Sequence, residues 1–431
     1  MRRTHLARIV LAVGALALVA SACSNDDSAD DTTTTEATDS GGSSDRGNVD
    51  GTLILGAMVP QTGDLNTIVE SLQTPIDIAI EEINEAGGVN GEEVLLVEGD
   101  DGTSPTVAQT TYDQFVSSEN VDAIIGPAPS SVAAVLAENF GTDKVPACSG
   151  STTAANLTDA GDGFFFRTAP GDNLQGPALA ELIASDNHTA VAIVARNDDY
   201  GSGFADSLGG ALEESGIEVT ETVLYNPDSG TGYDADVQRA VDSSPEAVVV
   251  IGFNDDGAQI INAMIGAGAG PADIPIYTAD GMQGSSFGET VDPENPGVVA
   301  GIKGTAPAAA PAGIEHPFQA VFAATGVDTI FSPYYYDCTI LMALAAQAAG
   351  SDDGTAIKDA FAANLEGDND CQTFKECKEL LEAGETIHYR GASSAFDSWQ
   401  TMEPGTGVYD TWTYDAEGAV EDLGTQIPVG N

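Results

Sequence analysis

The chain has 431 residues, of which 68 are aspartate or glutamate and 13 are lysine or arginine, giving a formal net charge of −55. This surplus of acid excludes a nucleic-acid-binding surface, which needs a basic patch. It is typical of a solvated acidic surface in a protein that works at high salt, where screening weakens self-repulsion. Attraction of cationic solutes is the alternative explanation. Four of the basic residues precede residue 51, so the acidity belongs to the remainder of the chain.

The N-terminal residues have the pattern of a secretory signal peptide. Three arginines precede an apolar run at residues 9–19, and small residues then lead into Cys23. The run is shorter than the roughly 20 residues that a membrane-spanning helix needs. A cysteine directly after small residues resembles a bacterial lipobox, although Ala20 stands where leucine is usual. We therefore predict a signal peptide over residues 1–22 and a lipidated Cys23, with simple cleavage beside an incidental cysteine as the alternative.

The segment after the cysteine is nearly all Ser, Thr, Asp, Gly and Ala. Such a composition cannot bury enough apolar surface to fold, so residues 23–50 are predicted to be the lipidated cysteine and a disordered tether. Residues 51–431 are too many for one typical core, which predicts two domains.

Four cysteines remain if Cys23 is lipidated, and export allows them to form disulfides. Cys371 and Cys377 are close in sequence and are predicted to pair. Cys148 and Cys338 would then form the second pair, although four cysteines allow three connectivities. A metal site is the alternative, but the chain has no CxxC doublet and its histidines are scattered. We expect no metal.

Strands and helices are predicted to alternate along the chain in two blocks. The first block has strands at 52–59, 94–98, 121–126 and 144–147, and helices at 74–86, 106–117 and 131–140. The second block has strands at 190–195, 218–224, 247–252 and 274–278, and helices at 204–215, 233–243 and 258–266. A helix at 341–349 is expected to return to the first block. Continuous Val, Ile and Ala strands between helices indicate an α/β fold of two doubly wound lobes.

Two hydroxyl-rich turns follow neighbouring strands of the first block, at residues 126–131 and 148–153. Open parallel sheets bind ligands at the carboxyl ends of their strands. Hydroxyls and N–H groups near a helix start bind anions, a carboxylate especially. Taken singly, Ser130 and Thr153 are better explained as helix caps. Two such turns at adjacent strand ends indicate a binding site.

Short motifs stand in a characteristic order between residues 53 and 414. They are P-Q-T-G at 60–63, I-N-E-A-G-G-V-N-G at 83–91, I-G-P-A-P-S-S at 125–131, F-R-T-A-P at 166–170, D-Y-G-S-G at 199–203, V-I-G-F at 250–253 and Y-Y-Y-D at 334–337. In order and spacing they resemble the type I periplasmic binding proteins of the branched-chain amino acid (Leu/Ile/Val) class, the solute receptors of ABC importers. The resemblance implies two lobes joined by a hinge of several crossovers. Lobe 1 would comprise residues 51–169 and 306–404, and lobe 2 residues 170–305 and 405–431.

The resemblance also implies which residues hold the charged groups of a ligand. Ser130 in the first turn, with Ser151 and Thr153 in the second, would hold a carboxylate. Asp280, after a strand of lobe 2, would hold an ammonium, since a buried amine needs a charged partner. Members of this class that bind amino acids often carry Glu at this position, so the identity of the solute is left open. Without the resemblance, Asp280 would be interpreted as an exposed acid in a loop.

Aromatic residues are expected to close the site from lobe 2. The resemblance places Tyr200 against the ligand, with packing at the hinge as the alternative. Phe253 would offer an apolar wall, and Thr67 and Ile68 fall near another position that contacts the ligand side chain. Together these residues favour a ligand with a modest apolar or small polar side chain.

No catalytic or cofactor motif is convincing. Residues 284–288 match G-x-S-x-G, but the nucleophile elbow needs a strand directly before it. Asp100 and Asp101 end a strand and could bind a cation, although acidic pairs are common in this chain. A hydrolase therefore stays a third and weaker hypothesis.

We predict a lipid-anchored, extracytoplasmic substrate-binding protein of an ABC importer. It would capture a small amino acid, or a related carboxylate or amide, and deliver it to the permease subunits. It would be a monomer and not an enzyme, without a cofactor. A receptor of the same fold that signals to a membrane partner is the alternative.

Overall fold

The computed structural model describes residues 49–227, 229 and 232–430. The predicted signal peptide, Cys23 and the predicted tether up to residue 48 lie outside the described residues. Within the described part, no helix is long and apolar enough to cross a membrane.

The first sheet is built from the N-terminal part of the body. Its strands are β1 (Ile54–Val59), β2 (Leu95–Asp100), β3 (Ala123–Ile125), β4 (Ala147–Ser149) and β5 (Phe165–Arg167). Their order is β2-β1-β3-β4-β5, and all are parallel. The connections contain α1 (Val69–Glu85), α2 (Pro105–Gln114) and α3 (Ser130–Asp143). Because every strand is parallel, all their carboxyl ends meet at one edge of the sheet.

Helix α1 shows how the sequence specifies this layer. Its buried Leu72, Ile76 and Ile83 repeat at helical spacing and pack into the core around the first sheet. The helix ends where Gly87 and Gly88 take the left-handed conformation, with φ of 87° and 65°.

The second sheet begins with five parallel strands. They are β6 (Ala190–Arg196), β7 (Glu218–Tyr225), β8 (Ala247–Ile251), β9 (Ile276–Thr278) and β10 (Lys303–Pro307). The helices among and before them are α4 (Asp172–Ser185), α5 (Asp199–Glu214), α6 (Asp234–Asp242), α7 (Asn254–Gly266) and α8 (Phe287–Val291). All five residues of β8 are buried, as expected of a strand covered on both faces.

The C-terminal part returns to the first core and then to the second sheet. It contains α9 (Pro317–Ala323), α10 (Ser332–Ala349), α11 (Gly354–Phe361), α12 (Phe374–Glu382), β11 (Asn369–Cys371), β12 (Ile387–Tyr389), β13 (Trp399–Gln400) and β14 (Glu403–Pro404). Helix α10 is buried almost throughout and packs into the core of the first sheet, as predicted for its second half.

The last two strands complete the second sheet as an antiparallel pair. They are β15 (Gly407–Tyr414) and β16 (Val420–Val429), and the sheet order is β16-β15-β10-β9-β8-β6-β7. The sequence predicts only parallel strands here, so the prediction is wrong for this edge of the sheet. A short turn between β15 and β16 makes a hairpin, which requires antiparallel pairing.

We propose that each sheet is the centre of one lobe, as the sequence predicts. Lobe 1 then contains residues 51–169 together with the segment from α9 to β14. The predicted boundary between residues 305 and 306 falls inside β10, all of which pairs with the second sheet. We therefore place that boundary after Pro307. The connections between lobes lie near residues 168–171, 308–316 and 405–406.

Both disulfides that the sequence favours are present. Cys148, in β4, is bonded to Cys338, in α10, with their Cα atoms 5.6 Å apart. Cys371 is bonded to Cys377 across a Cα distance of 5.3 Å. The first bond ties α10 to the end of a sheet strand beside the second hydroxyl turn.

Candidate functional site

One cavity between the lobes is lined by all six predicted ligand-binding residues. They are Ser130, Ser151 and Thr153 of lobe 1 and Tyr200, Phe253 and Asp280 of lobe 2. The empty space in this cavity, including the part that is open to solvent, is about 540 Å³. The cavity lies at the carboxyl ends of the strands in both sheets, where parallel sheets bind ligands.

Ser130 links the two hydroxyl turns to each other. Its Oγ accepts hydrogen bonds from the backbone N–H groups of Thr153 and Ala154, each at 3.2 Å. The capping interpretation of Ser130 is therefore wrong, because the residue opens α3 after Pro129 and its side chain reaches the other turn. A hydroxyl that accepts two N–H groups still carries its own hydrogen. That hydrogen is therefore available for a hydrogen bond to a group in the cavity.

Ser151 is held between the first turn and α10. Its Oγ donates to the carbonyl of Ala128 at 3.1 Å and lies 2.9 Å from the hydroxyl oxygen of Tyr335. Tyr335 is fully buried, and burial raises the pKa of its phenol, so it stays protonated. The Y-Y-Y-D motif at 334–337 contains Tyr335, but the sequence alone predicts no role for it. The structure shows that it supports the second turn from behind.

Asp280 is the acidic residue of lobe 2 that lines the cavity. It follows β9, is only 5% exposed, and accepts a hydrogen bond from the amide of Gln175 at 2.7 Å. The hydroxyl of Tyr200 lies 3.5 Å from the same carboxylate oxygen. Burial raises the pKa of Asp280 to about 6, against the hydrogen bonds from Gln175 and Tyr200, which lower it. The interpretation of Asp280 as an exposed loop acid is wrong.

A second buried carboxylate, Asp172, lies close to Asp280 and is absent from the sequence analysis. Asp172 opens α4 and is 0% exposed. Neither of its carboxylate oxygens makes a hydrogen bond of ordinary geometry with the described residues, although the Thr153 hydroxyl is near enough to stabilise the ionised form. Burial raises the pKa of Asp172 well above its usual range, and the charge of Asp280 raises it further. The Oε1 atom of Gln175 is buried without a partner as well.

Such orphaned acceptors carry a chemical implication. Buried polar groups in proteins are almost always hydrogen-bonded, so unpaired ones point to a missing ligand or water. The residues that line the cavity include no lysine, arginine or histidine. A positively charged group of a ligand beside Asp280 would therefore meet no competing cationic side chain among the lining residues.

A stack of side chains forms the aromatic wall on lobe 2. The rings of Tyr200 and Phe253 lie 5.5 Å apart and are nearly parallel, at 13°. The guanidinium of Arg196 lies 3.7 Å from the centre of the Phe253 ring. Arg196 is fixed in turn by carboxylates of Asp198, at 2.6 Å, and Asp256, at 3.2 Å. These ion pairs and ring contacts hold Phe253 and Tyr200 against each other.

The lobes are in contact around the cavity. Leu65 and Ile68 of lobe 1 pack against the hydrophobic core of lobe 2. Two exposed hydrogen bonds also join the lobes. Asn156 donates to Asp199 at 2.6 Å, and Ser285 donates to Asp328 at 2.7 Å. This is a closed arrangement.

The structure offers no support for a hydrolase. A short 3-10 helix, not a strand, precedes the G-x-S-x-G segment at residues 284–288, so the elbow geometry is missing. Gly284 merely lines the cavity. Within the described residues there is no cluster of three or more His, Cys, Asp or Glu side chains that could hold a metal ion.

Comparison with known proteins shows which family this chain belongs to. Residues 52–373 match the family model described as periplasmic binding protein. The chain belongs to this family. Membership implies an extracytoplasmic location and a role in binding solutes.

Two curated relatives and one solved structure resemble this periplasmic binding protein. The chemotactic signal transduction system substrate-binding protein BasB of Halobacterium salinarum is 28% identical over 365 residues, covering 82% of this chain and 85% of BasB. The Leu/Ile/Val-binding protein homolog 1 of Brucella melitensis is 25% identical over 308 residues, covering 70% of this chain and 80% of that protein. The leucine binding protein LivK of Thermotoga maritima superposes with a TM-score of 0.71 at 21% identity, covering 88% of this chain and 99% of LivK. The predicted type I fold and the resemblance to the branched-chain amino acid class are confirmed.

Proposed function

We propose that this periplasmic binding protein captures a small zwitterionic amino acid in the cavity between its lobes and delivers it to the permease of an ABC importer. The observation that carries the proposal is the polarity of the cavity. Hydroxyl groups line the lobe 1 wall, and the buried carboxylate of Asp280 lines the lobe 2 wall, with no cationic side chain among the lining residues. An amino acid carries the complementary charges.

Lobe 1 supplies the groups for the ligand carboxylate. The hydroxyl hydrogen of Ser130 is available, because its oxygen only accepts from the second turn. Ser151 also lines the cavity, but its own hydroxyl hydrogen is donated to the carbonyl of Ala128, so its part is to hold the turn beside Ser130. The N-terminus of α3 adds a partial positive charge beside Ser130, which stabilises an anion by about 0.3–1 kcal/mol.

Lobe 2 supplies the groups for the ligand ammonium. Asp280 lines the cavity, and Asp172 lies beside it with two unpaired oxygens. The charge of Asp280 raises the pKa of Asp172 in the absence of a cation. An ammonium between them would favour the ionised form of both, since an opposite charge lowers the pKa of a carboxyl group.

The remaining lining favours an aliphatic side chain. Leu65, Ile68, Phe253 and Phe331 contribute apolar surface, and Thr67 adds a methyl group. The name of the Brucella relative refers to leucine, isoleucine and valine. We therefore propose a branched-chain or similar small apolar amino acid as the solute.

Isothermal titration of the purified protein with L-leucine, L-isoleucine and L-valine tests the proposal. Asp280→Asn should weaken binding about 100-fold, because removing one partner of a buried charge pair costs about 2–5 kcal/mol. Asp186→Asn is the matched control. Asp186 pairs with Lys303 in the same lobe but before β6, at the far end of the strands, so its loss should leave affinity unchanged. Absence of binding to a complete panel of amino acids, by titration and by thermal shift, would refute the proposal.

Signalling is a second candidate function, favoured by the similarity to BasB. The same capture step would then report the solute to a membrane receptor. A strain that lacks this gene distinguishes the two functions. Loss of labelled leucine uptake with normal migration toward leucine supports transport, and the reverse result supports signalling.

We further propose that the protein is anchored through Cys23, acts as a monomer and has no catalytic activity. Cys23→Ser should release the protein from the membrane fraction into the medium. Light scattering should give the mass of one chain, and incubation with amides of the bound amino acids should give no product.

A further inference from the structure

Asp101 is a buried carboxylate on the outer side of the first hydroxyl turn. It directly follows β2 and is 0% exposed. Its Oδ2 accepts from the backbone N–H of Ala128 at 3.0 Å, and its Oδ1 accepts from that of Thr103 at 2.8 Å. Both oxygens are therefore occupied by backbone donors. The possibility that Asp100 and Asp101 bind a cation finds no support in this geometry.

The Ala128 peptide is central to the carboxylate side of the cavity. Ala128 lines the cavity, and its carbonyl accepts the hydrogen bond from Ser151. Ser130 follows two residues later. Thr103, the other partner of Asp101, accepts a hydrogen bond through its Oγ1 from the backbone N–H of Leu65 at 3.0 Å, and Leu65 also lines the cavity. Asp101 thus connects two segments that shape the lobe 1 wall.

We propose that Asp101 is a positioning residue for the ligand carboxylate, because its ionised side chain holds the Ala128 peptide, and with it Ser130 and Ser151, in the binding geometry. The proposal rests on the proposed function of this cavity. It gives Asp101 no contact with the ligand. The effect is transmitted through one buried hydrogen bond at 3.0 Å.

The protonation state of Asp101 should then change the affinity. Burial raises the pKa of Asp101 to about 7, and the neighbouring Asp100 raises it as well, while the N–H groups of Ala128 and Thr103 lower it. The phenol of Tyr335, on α10, is the other titratable group that interacts with Asp101. Both carboxylate oxygens of Asp101 accept from backbone N–H groups. Protonation turns one of these oxygens into a donor, so one of the two hydrogen bonds is weakened. The turn should therefore be held best above about pH 7 and loosen as the pH falls.

Asparagine at position 101 imitates the protonated state, since it has one acceptor and one donor group. The measured quantity is the ratio of the dissociation constants of Asp101→Asn and wild type for L-leucine, L-isoleucine and L-valine. Asp280 and Asp172 also titrate, but they are present in both proteins, so their contribution cancels in the ratio. We expect a ratio of about ten at about pH 8.5, from loss of a charge-assisted hydrogen bond. It should approach about one at about pH 5.5, where wild type is protonated too.

Asp122→Asn is the matched control. Asp122 is 3% exposed and accepts the backbone N–H of Ile54 at 2.9 Å, but Ile54 begins β1, at the edge of the sheet away from the cavity. Its ratio should stay at about one at every pH, because Asp122 lies at the end of the sheet opposite the cavity. A ratio for Asp101→Asn that is constant with pH, or that grows as the pH falls, would overturn the proposal.

A measurement on wild type covers the case in which Asp101→Asn does not fold. The chemical shift of the Ala128 amide should change with a midpoint at about pH 7, because its N–H donates to the carboxylate of Asp101. An Ala128 amide insensitive to pH in this range would contradict the inference. The two ideas fail separately: wild type that binds no amino acid refutes the proposed function, while the Ala128 amide still reports on Asp101.

Discussion

Removal of the Cys148–Cys338 disulfide should destabilise the protein much more than removal of Cys371–Cys377. The two bonds close loops with sequence separations of 190 and 6 residues. A cross-link restricts the unfolded chain more when the loop is longer, and the loop-closure relation gives about 5 kcal/mol for the first bond and about 2 kcal/mol for the second. The free energies of unfolding of the two double variants should therefore differ by about 3 kcal/mol.

Guanidinium denaturation of Cys148→Ala/Cys338→Ala and Cys371→Ala/Cys377→Ala measures this difference. All four cysteines are buried, so the two variants lose similar packing and each serves as a control for the other. Both must be measured at the same salt concentration, since the net charge of −55 makes stability depend on screening. Equal destabilisation, or a larger effect of the short loop, would refute the chain-entropy reasoning for this protein.

The same pair of variants should differ in ligand binding. Cys148 immediately precedes the second hydroxyl turn, and Cys338 lies on α10 one turn beyond Tyr335, which contacts Ser151. Loss of this bond should weaken leucine binding, because the support behind Ser151 is loosened. Loss of the other bond should leave binding unchanged.

Further predictions concern the ion pairs and the contacts between lobes. Glu403→Gln leaves the buried Arg167 without its carboxylate and should lower the free energy of unfolding by about 3–5 kcal/mol. Loss of the exposed ion pair between Arg239 and Glu221 should lower it by less than about 1 kcal/mol. Chemical denaturation measures both changes. Similar costs would contradict the assignment of burial. Asn156→Ala removes the hydrogen bond to Asp199 and should raise the rate of leucine release by up to about fivefold in stopped-flow measurements, with little change in association. An unchanged release rate would mean that this bond does not stabilise the closed form.

The sequence predicts the strands that are apolar at nearly every position, but not β5, β10, β15 or β16. A run such as β8, Ala-Val-Val-Val-Ile, is apolar at every position because both faces are covered. Helix starts are predicted less well. Helices α5 and α7 begin at Asp199 and Asn254, earlier than the apolar spacing indicates, because their first turns are polar. As a consequence, Tyr200 lies in the first turn of a helix instead of a loop.

Helix α4 is absent from the sequence-based prediction, and with it Asp172. Its residues Leu179, Ala180 and Ile183 are buried on more than one side, so no polar face alternates with an apolar one. Pro177 lies inside it and also argues against a helix from sequence alone. The hydrogen bond from Thr153 to Ser130 is not predictable from sequence either, because the two residues are 23 positions apart and the bond depends on how two strands pack.

Because Leu65 and Ile68 pack against the core of lobe 2, the salt concentration should affect how tightly the solute is bound. Opening the cleft returns apolar surface to water, which strongly hydrated salts disfavour. It also separates two bodies that both carry negative charge, and dissolved cations screen the repulsion between them on closing. The two effects have the same sign. The affinity for the solute should therefore rise with salt concentration, and a value measured in dilute buffer should be lower than one measured at high salt.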